Sequence, residues 1–159
     1  MSHSPVIKTS GIDNVSFGTN VTVVQPVNIY GSFIGDDAFI GPFVEIQKNT
    51  HIGQRTKIQS HSFLCEYTTI GNDCFIGHGV MFANDMFRNG KPDARPESWA
   101  RITIGNSVSI GSNATILAVS ICNNVVIGAG SVVTKNISAP GIYAGNPARL
   151  LRHLPHDAA

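Results

Sequence analysis

Charge is scarce in this chain. Only 13% of its 159 residues are charged, and the formal net charge at pH 7 is +1. A balance so near zero sets up no broad field for nucleic acid or an acidic membrane. Low charge beside 42% hydrophobic residues also excludes a disordered tail. No apolar run approaches the ~20 residues of a membrane span. Cysteine is scarce as well. Cys65, Cys74 and Cys122 are an odd number without metal-like spacing, which argues against a disulfide framework or a zinc site. The opening Met-Ser-His-Ser-Pro lacks the basic and apolar parts of a secretion leader, so the expectation is a reduced, cytoplasmic protein. The length suits a single domain with a core of its own.

What the chain does have is a repeat. An aliphatic residue or its equivalent recurs every sixth position at Ile34, Ile40, Ile46, Ile52, Ile58, Leu64, Ile70, Ile76 and Phe82. The rhythm resumes at Ile104, Ile110 and Ile116, then at Ile121, Ile127 and Val133. A fainter start reads as Val15, Val21 and Val27, with a seven-residue step to Ile34. Six is not a helical period: residues six apart scatter around a helix but share one face of a strand. Short β-branched segments separated by Gly, Asn and Asp predict short strands joined by turns. Three such segments close one triangular coil, and stacked coils pair each strand with its copy about 4.8 Å away. The predicted fold is an all-β parallel β-helix of about six coils, whose hand the spacing leaves open.

The Ile/Val-Gly repeat, the segment Ile127–Lys135 and the later Ala144–Arg149 resemble the hexapeptide-repeat acyltransferases. That resemblance implies a left-handed β-helix, although the general crossover rule favours the right hand. A narrower likeness lies in Pro42–Gln47, Ile58–His61, Cys65-Glu66 and Ile76–Phe82 followed by Asn84-Asp85. These segments are similar to N-acetyltransferases of nucleotide-linked (dTDP- or UDP-) 3-amino sugars, which serve surface polysaccharide and lipopolysaccharide synthesis.

The breaks in the lattice carry information. After Phe82 the next inward residue is due at 88, but the rhythm returns at Ile104, an excess of 16 residues. A loop over 86–101 therefore leaves the coil, carrying Trp99 and a local surplus of two positive charges. Over a cleft, it would touch a phosphorylated substrate through Arg88 and Arg101, with Trp99 as packing anchor or stacking plate. The other reading is a solvated protrusion. A five-residue step from Ile116 to Ile121 tightens one corner. At the end, Asn146-Pro147 followed by Ala-Arg-Leu-Leu-Arg-His-Leu predicts a short capping helix, with Asn as N-cap and a frayed tail behind it. The expected organisation is a β-helix over 15–140 and a cap and tail over 141–159.

Residues 18 apart stack vertically. Two positions after Ile46, Leu64 and Phe82 stand Lys48, Glu66 and Asn84, and Gln47, Asn49, Tyr67 and Asp85 flank them. One corner is thus polar and varied, and the loop leaves from its end. The bland reading is a wet surface ladder. The functional one makes Asn84, Glu66, Asp85 and His78 catalytic candidates, with Lys48, Gln47, His61, Tyr67, Arg88 and Arg101 binding substrate. Many relatives in the resembled family use a His base. In the xenobiotic and sugar O-acetyltransferases it falls near Asn84-Asp85, where this chain has none. An amine acceptor eases that lack, because a neutral amine is already nucleophilic. Glu66 or Asp85 would take a proton from the ammonium form and Asn84 would orient the amine. Cys65 reads as a small corner residue rather than a nucleophile. His61 and His78 fall on a neighbouring corner.

The resemblance further implies acetyl-CoA as co-substrate along the later coils. Gly111, Ala129, Gly130, Thr134, Lys135 and Arg149 are the candidate contacts. It also implies a homotrimer with interfacial sites. Rival readings are O-acyl transfer to a small sugar or amino acid, and a non-catalytic scaffold. A zinc carbonic anhydrase on this fold needs a His-x4-His pair that the sequence lacks, so no metal is expected.

Overall fold

The computed structural model describes residues 4–93 and 95–154. Their chain winds into a left-handed parallel β-helix of about seven coils, one more than expected. Sheet I holds seven strands: Ile12–Asp13, Asn28–Tyr30, Glu45–Ile46, Phe63–Leu64, Met81–Phe82, Thr115–Ile116 and Val132–Val133. Sheet II holds six, from Ser16–Phe17 through Thr68–Ile70 and Ile102–Ile104 to Ser120–Ile121. Sheet III holds eight, from Thr22–Val23 to the paired Gly141–Ala144 and Arg149–Arg152. We call the turn from sheet I to II the first corner, from II to III the second, and from III to I the third.

Each six-residue step buries two side chains. One is the large aliphatic of the repeat: Ile34, Ile40, Ile46, Ile52, Ile58, Leu64, Ile70 and Ile76 are all fully buried. Two positions earlier lies a smaller residue such as Ala38, Val44, Thr56, Ser62 or Cys74. Buried hydroxyls here find carbonyls of the next coil, as Thr56 Oγ1 donates to Gly71 O at 2.8 Å and Ser62 Oγ to Gly77 O at 2.9 Å, while Ser32 Oγ is the exception and has no partner among the described residues. Burying each large aliphatic contributes roughly 1.5–3 kcal/mol, so the column of inward residues is the main stabilising element.

This two-position pattern corrects the expected frame of the first coil. Phe17, Val23 and Ile29 align with Ile34, Ile40 and Ile46. Val15, Val21 and Val27 occupy the lesser position, and the seven-residue step to Ile34 becomes a five-residue step from Ile29. The five-residue steps, 12 to 17, 29 to 34 and 116 to 121, therefore all cross the first corner.

Corners are made by a residue in the left-handed region three places after the inward one. Asp37, Phe43, Asn49, Arg55, His61, Tyr67 and Asp73 all have φ between 55° and 65°. Side chains of many kinds accept this conformation here because the ladder bonds on both sides fix it. The first corner departs from the rule on several coils: after Ile12 and Ile29 the positive φ falls two places on, at Asn14 and Gly31. Asp85, where the loop begins, and the shortened step after Ile116 carry no positive φ.

The predicted capping helix is not formed. Gly141–Ala144 pairs in parallel with Val125–Ile127, and Arg149–Arg152 folds back antiparallel upon it, with a turn over 145–148. The physical reason is the open sheet edge. A helix of so few residues is marginal in water, whereas an edge strand offers backbone partners at once. Every residue of Arg149–Arg152 is exposed, so no apolar stripe rewards a helix. The expected frayed end, Asp157 to Ala159, lies outside the described residues. No helix among the described residues is long and apolar enough to cross a membrane.

Candidate active site

The second corner shows what an ordinary corner does with its polar groups. Asn72 Oδ1 accepts the backbone N–H of Gln54 at 2.9 Å, and Asn106 Oδ1 accepts that of Asn72 at 2.8 Å. Asn123 Oδ1 accepts that of Asn106 at 2.8 Å. The position below each amide must be Gly. A Cβ on Gly53 would lie 2.5 Å from Asn72 Oδ1, and one on Gly71 2.5 Å from Asn106 Oδ1.

The first corner does the opposite. Its column runs Lys48, Glu66, Asn84, and the residues one place earlier are Gln47, Cys65 and Ala83. Asn84 donates through Nδ2 to the backbone O of Glu66 at 2.7 Å. The usual acceptor role is blocked, because the Glu66 N–H already donates to Gln47 Oε1 at 3.2 Å. With its NH2 held by a carbonyl, the amide of Asn84 is turned over relative to the second-corner ladder. Its Oδ1 has no hydrogen-bond donor among the described residues.

Glu66 is 4% exposed, an unusual burial for a carboxylate. Asn49 Nδ2 donates to its Oε1 at 2.8 Å, and Lys48 Nζ stands 3.8 Å from the same oxygen. Its Oε2 has no donor among the described residues. The field of this carboxylate reaches its neighbours. Burial first, then the carboxylates of Glu45 and Glu66, raise the Tyr30 hydroxyl above its ordinary value. Burial pushes the Cys65 thiol up, so it stays protonated at neutral pH and is a poor nucleophile.

The loop is tied down at its root. Asp85 accepts the N–H of Phe87 at 2.9 Å through one oxygen and that of Asp93 at 2.8 Å through the other. Both its oxygens hold backbone, which leaves Asp85 poorly placed as a base. Trp99 Nε1 donates to Asp93 O at 2.7 Å, so the indole anchors the loop rather than offering a bare plate. Arg95 forks onto Asp93 through Nε at 3.1 Å and a terminal nitrogen at 3.0 Å. That hydrogen bonding holds the Asp93 carboxyl well below the usual carboxylate range. Arg101 lies 5.2 Å from the centre of the Tyr67 ring, a cation–π contact. Arg88 and Lys91 have no charged partner among the described residues. Together with Asn84 and Asp85 they line a hollow of about 250 Å³ under the loop.

The remaining candidates divide between corners. His61 and His78 project from the third corner, on the far side of sheet I from Asn84. His61 stacks on Phe43 with ring centres 4.8 Å apart, and His78 Nδ1 is 2.9 Å from Ser60 Oγ. Gly111, Ala129 and Gly130 continue that corner. A Cβ on Gly77 would lie 2.7 Å from Ser112 N, so close coil stacking already demands small residues there. Thr134, Lys135 and Arg149 line a cleft of about 300 Å³ at the far end of the first corner. A single chain thus gathers Gln47, Lys48, Glu66 and Asn84, adds Tyr67 and Arg101 beside them, and leaves both histidines apart. Asn49 is the polar partner that sequence reasoning underused. Its place directly after Lys48 in the column was the available signal. Among the described residues no three His, Cys, Asp or Glu cluster to hold a metal ion.

Known proteins match this sequence and fold. Residues 31–66 match the bacterial transferase hexapeptide (six repeats) family model, and residues 101–135 match the hexapeptide repeat of succinyl-transferase. The bifunctional protein GlmU of Streptococcus uberis is 32% identical over 160 residues, spanning 96% of this chain and 32% of that protein. The galactoside O-acetyltransferase of Escherichia coli is 34% identical over 133 residues, 76% of this chain and 63% of that protein. The chain therefore spans about a third to under two thirds of the length of these relatives. A hexapeptide-repeat acetyltransferase of Vibrio cholerae, solved with acetyl coenzyme A, superposes with a TM-score of 0.66 at 26% identity, over 79% of this chain and 72% of that one. AntD, an N-acyltransferase of Bacillus cereus solved as its D94A mutant with dTDP and coenzyme A, shares the fold with a TM-score of 0.68 at 21% identity, over 89% and 84%. With its recurring six-residue period, stacked triangular coils and two family-model matches, this chain belongs to the hexapeptide-repeat acyltransferase superfamily.

Proposed function

We propose that this protein transfers an acetyl group from acetyl-CoA to the primary amine of a nucleotide-linked 3-amino sugar, by direct attack and without a covalent enzyme intermediate. One observation carries the reading: two acceptor oxygens, Glu66 Oε2 and Asn84 Oδ1, stand on neighbouring coils of one corner with no donor among the described residues. Adjacent coils lie about 4.8 Å apart, so one ammonium group can donate to both. A hydroxyl has a single proton to give.

In this reading the ammonium of the sugar gives one proton to Glu66 and is held by Asn84 through a second. The freed amine forms its bond to the thioester carbonyl carbon, and a backbone N–H stabilises the developing oxyanion. The C–S bond then breaks, and the thiolate leaves with the surplus proton of the new amide nitrogen. Arg88 and Lys91 under the loop suit the diphosphate of a nucleotide, while Gln47, Lys48, Tyr67 and Arg101 border the sugar. Asp85 serves by holding the loop.

The coenzyme contacts fit an assembly better than a lone chain. Gly111, Ala129 and Gly130 lie on the third corner and Thr134 and Lys135 on the first, with Arg149 reaching the same cleft from the last strand of sheet III. A homotrimer that set the third corner of one subunit against the first corner of the next would unite these contacts and bring His61 and His78 toward a neighbour's Asn84. The three cysteines are free thiols, which agrees with a cytoplasmic site where acetyl-CoA and sugar nucleotides are available.

Release of free thiol from acetyl-CoA, followed with a panel of dTDP- and UDP-linked 3-amino sugars and matched hydroxy sugars, tests the proposal. Thiol is expected only with the amines. Turnover of galactosides instead would replace it by O-acetyl transfer, the reading favoured by the 34% identical relative. Silence with every acceptor would leave a scaffold.

A further inference from the structure

Glu66 is clamped by its backbone from two sides. Gln47 Oε1 takes its N–H at 3.2 Å, and Asn84 Nδ2 donates to its O at 2.7 Å. Its main chain is therefore fixed, and only the side-chain torsions decide where the carboxylate points. Asn49 removes that freedom with a 2.8 Å hydrogen bond to Oε1. Lys48 adds its charge near the same oxygen, at 3.8 Å and from a half-exposed position.

The corner conformation does not require asparagine at this place. Asn49 has φ +58°, and the equivalent position on other coils is filled by Asp37, Phe43, Arg55, His61 and Tyr67 with similar φ. The amide of Asn49 thus serves something other than the turn, and its one side-chain bond goes to Glu66.

We infer that Asn49 is a positioning residue: it pins Oε1 of Glu66 so that Oε2 alone meets the acceptor, and it keeps the carboxylate ready to accept a proton. The inference rests on the proposed amine transfer and names a residue outside the catalytic set. Seven ionisable groups lie around this carboxylate, Tyr67 and the Arg101 stacked on its ring among them. Lys48 and Glu45 lie on the coil below, with Glu45 held through Gln47 Nε2 at 3.3 Å. Tyr30 lies a further coil down, and Cys65 is its neighbour in sequence. Asp85 lies on the coil above, with both oxygens committed to the loop. Removal of the Asn49 donor leaves Lys48 as the one attractive group on the carboxylate itself.

Two substitutions in the full-length chain separate the amide from the backbone. Asn49→Gly keeps the left-handed corner and deletes the amide. Asn49→Asp keeps the shape but sets a second carboxylate against Glu66. With an accepted amino sugar, kcat is expected to fall about tenfold or more in Asn49→Gly and further in Asn49→Asp. The acid limb of the rate profile should move to higher pH in that order, while coenzyme A affinity stays close to the parent's and the melting temperature falls in both. An Asp variant with the parent's kcat and an unshifted profile overturns the inference. If the parent acetylates no amine at all, the transfer reading fails separately. The 13C carboxyl resonance of Glu66, followed over pH, then decides. Its transition moves to higher pH in Asn49→Asp if the two side chains are coupled, and stays in place if the inference is wrong.

Discussion

The first and second corners are built from the same backbone and reach opposite ends. At the second, Asn72, Asn106 and Asn123 turn their oxygens inward to cap the N–H of the previous coil, over glycines that make room. Every group needed for stacking is satisfied, and what points outward is amide N–H. At the first, Gln47 takes the N–H of Glu66, so Asn84 binds the carbonyl and turns its oxygen outward. A single change in which backbone group is already occupied converts a capping amide into one whose oxygen has no donor among the described residues. Polarity, rather than residue type, separates a structural asparagine from a functional one here.

The sharpest way to break this contrast is to remove one amide from each corner. Asn84→Ala should lower kcat by about a hundredfold, in the range seen when one positioned polar group is lost, with coenzyme A affinity within about twofold. Asn72→Ala should leave kcat unchanged and lower only the unfolding midpoint. Equal kinetic effects, measured by steady-state assay and calorimetry, would dissolve the distinction. A smaller effect is expected from crowding the second corner. A Cβ added at Gly71 would lie 2.5 Å from Asn106 Oδ1 and 2.6 Å from Gly105 O. Gly71→Ala should therefore cost about 1–3 kcal/mol in chemical denaturation. A variant as stable as the parent would mean that the Asn ladder does not need its glycines.

The smallest effect belongs to Arg55. It forks onto Asp73 at 2.7 and 2.8 Å on the exposed side of the second corner. That hydrogen bonding holds the Asp73 carboxyl below its ordinary value. A lowered value means stability present above the usual carboxylate range and lost as pH falls through the lowered one. Arg55→Ala should melt slightly below the parent at neutral pH, less so in high salt, and together with it in strong acid. A gap that widens on acidification would contradict this account.

Much of the architecture was legible because a six-residue period leaves few alternatives. The inward residues from Ile34 to Phe82, the loop after them and the restart at Ile104 all follow from spacing. The first coil was read two places out of frame, since Val15, Val21 and Val27 occupy the lesser of two buried positions per step. The cap was misread because Asn146-Pro147 is a local helix-start signal, whereas the bonds that decide it come from Ile142–Ala144 across a turn. Vertical stacking placed Lys48, Glu66 and Asn84 together, but the orientation of the Asn84 amide depends on Gln47, 37 positions earlier, and no local pattern encodes it.

The ladder runs uninterrupted past the loop. Thr68 pairs with Ile102, Thr69 with Thr103 and Ile70 with Ile104, as though the intervening chain were absent. The coils therefore do not sense what is spliced in at that crossing, and the entropy of closing a longer excursion grows only slowly. If the loop meets the acceptor as proposed, selectivity can be exchanged like an attachment on a mast. New acceptors can be explored by lengthening or rewriting one excursion while the aliphatic column beneath keeps the molecule folded.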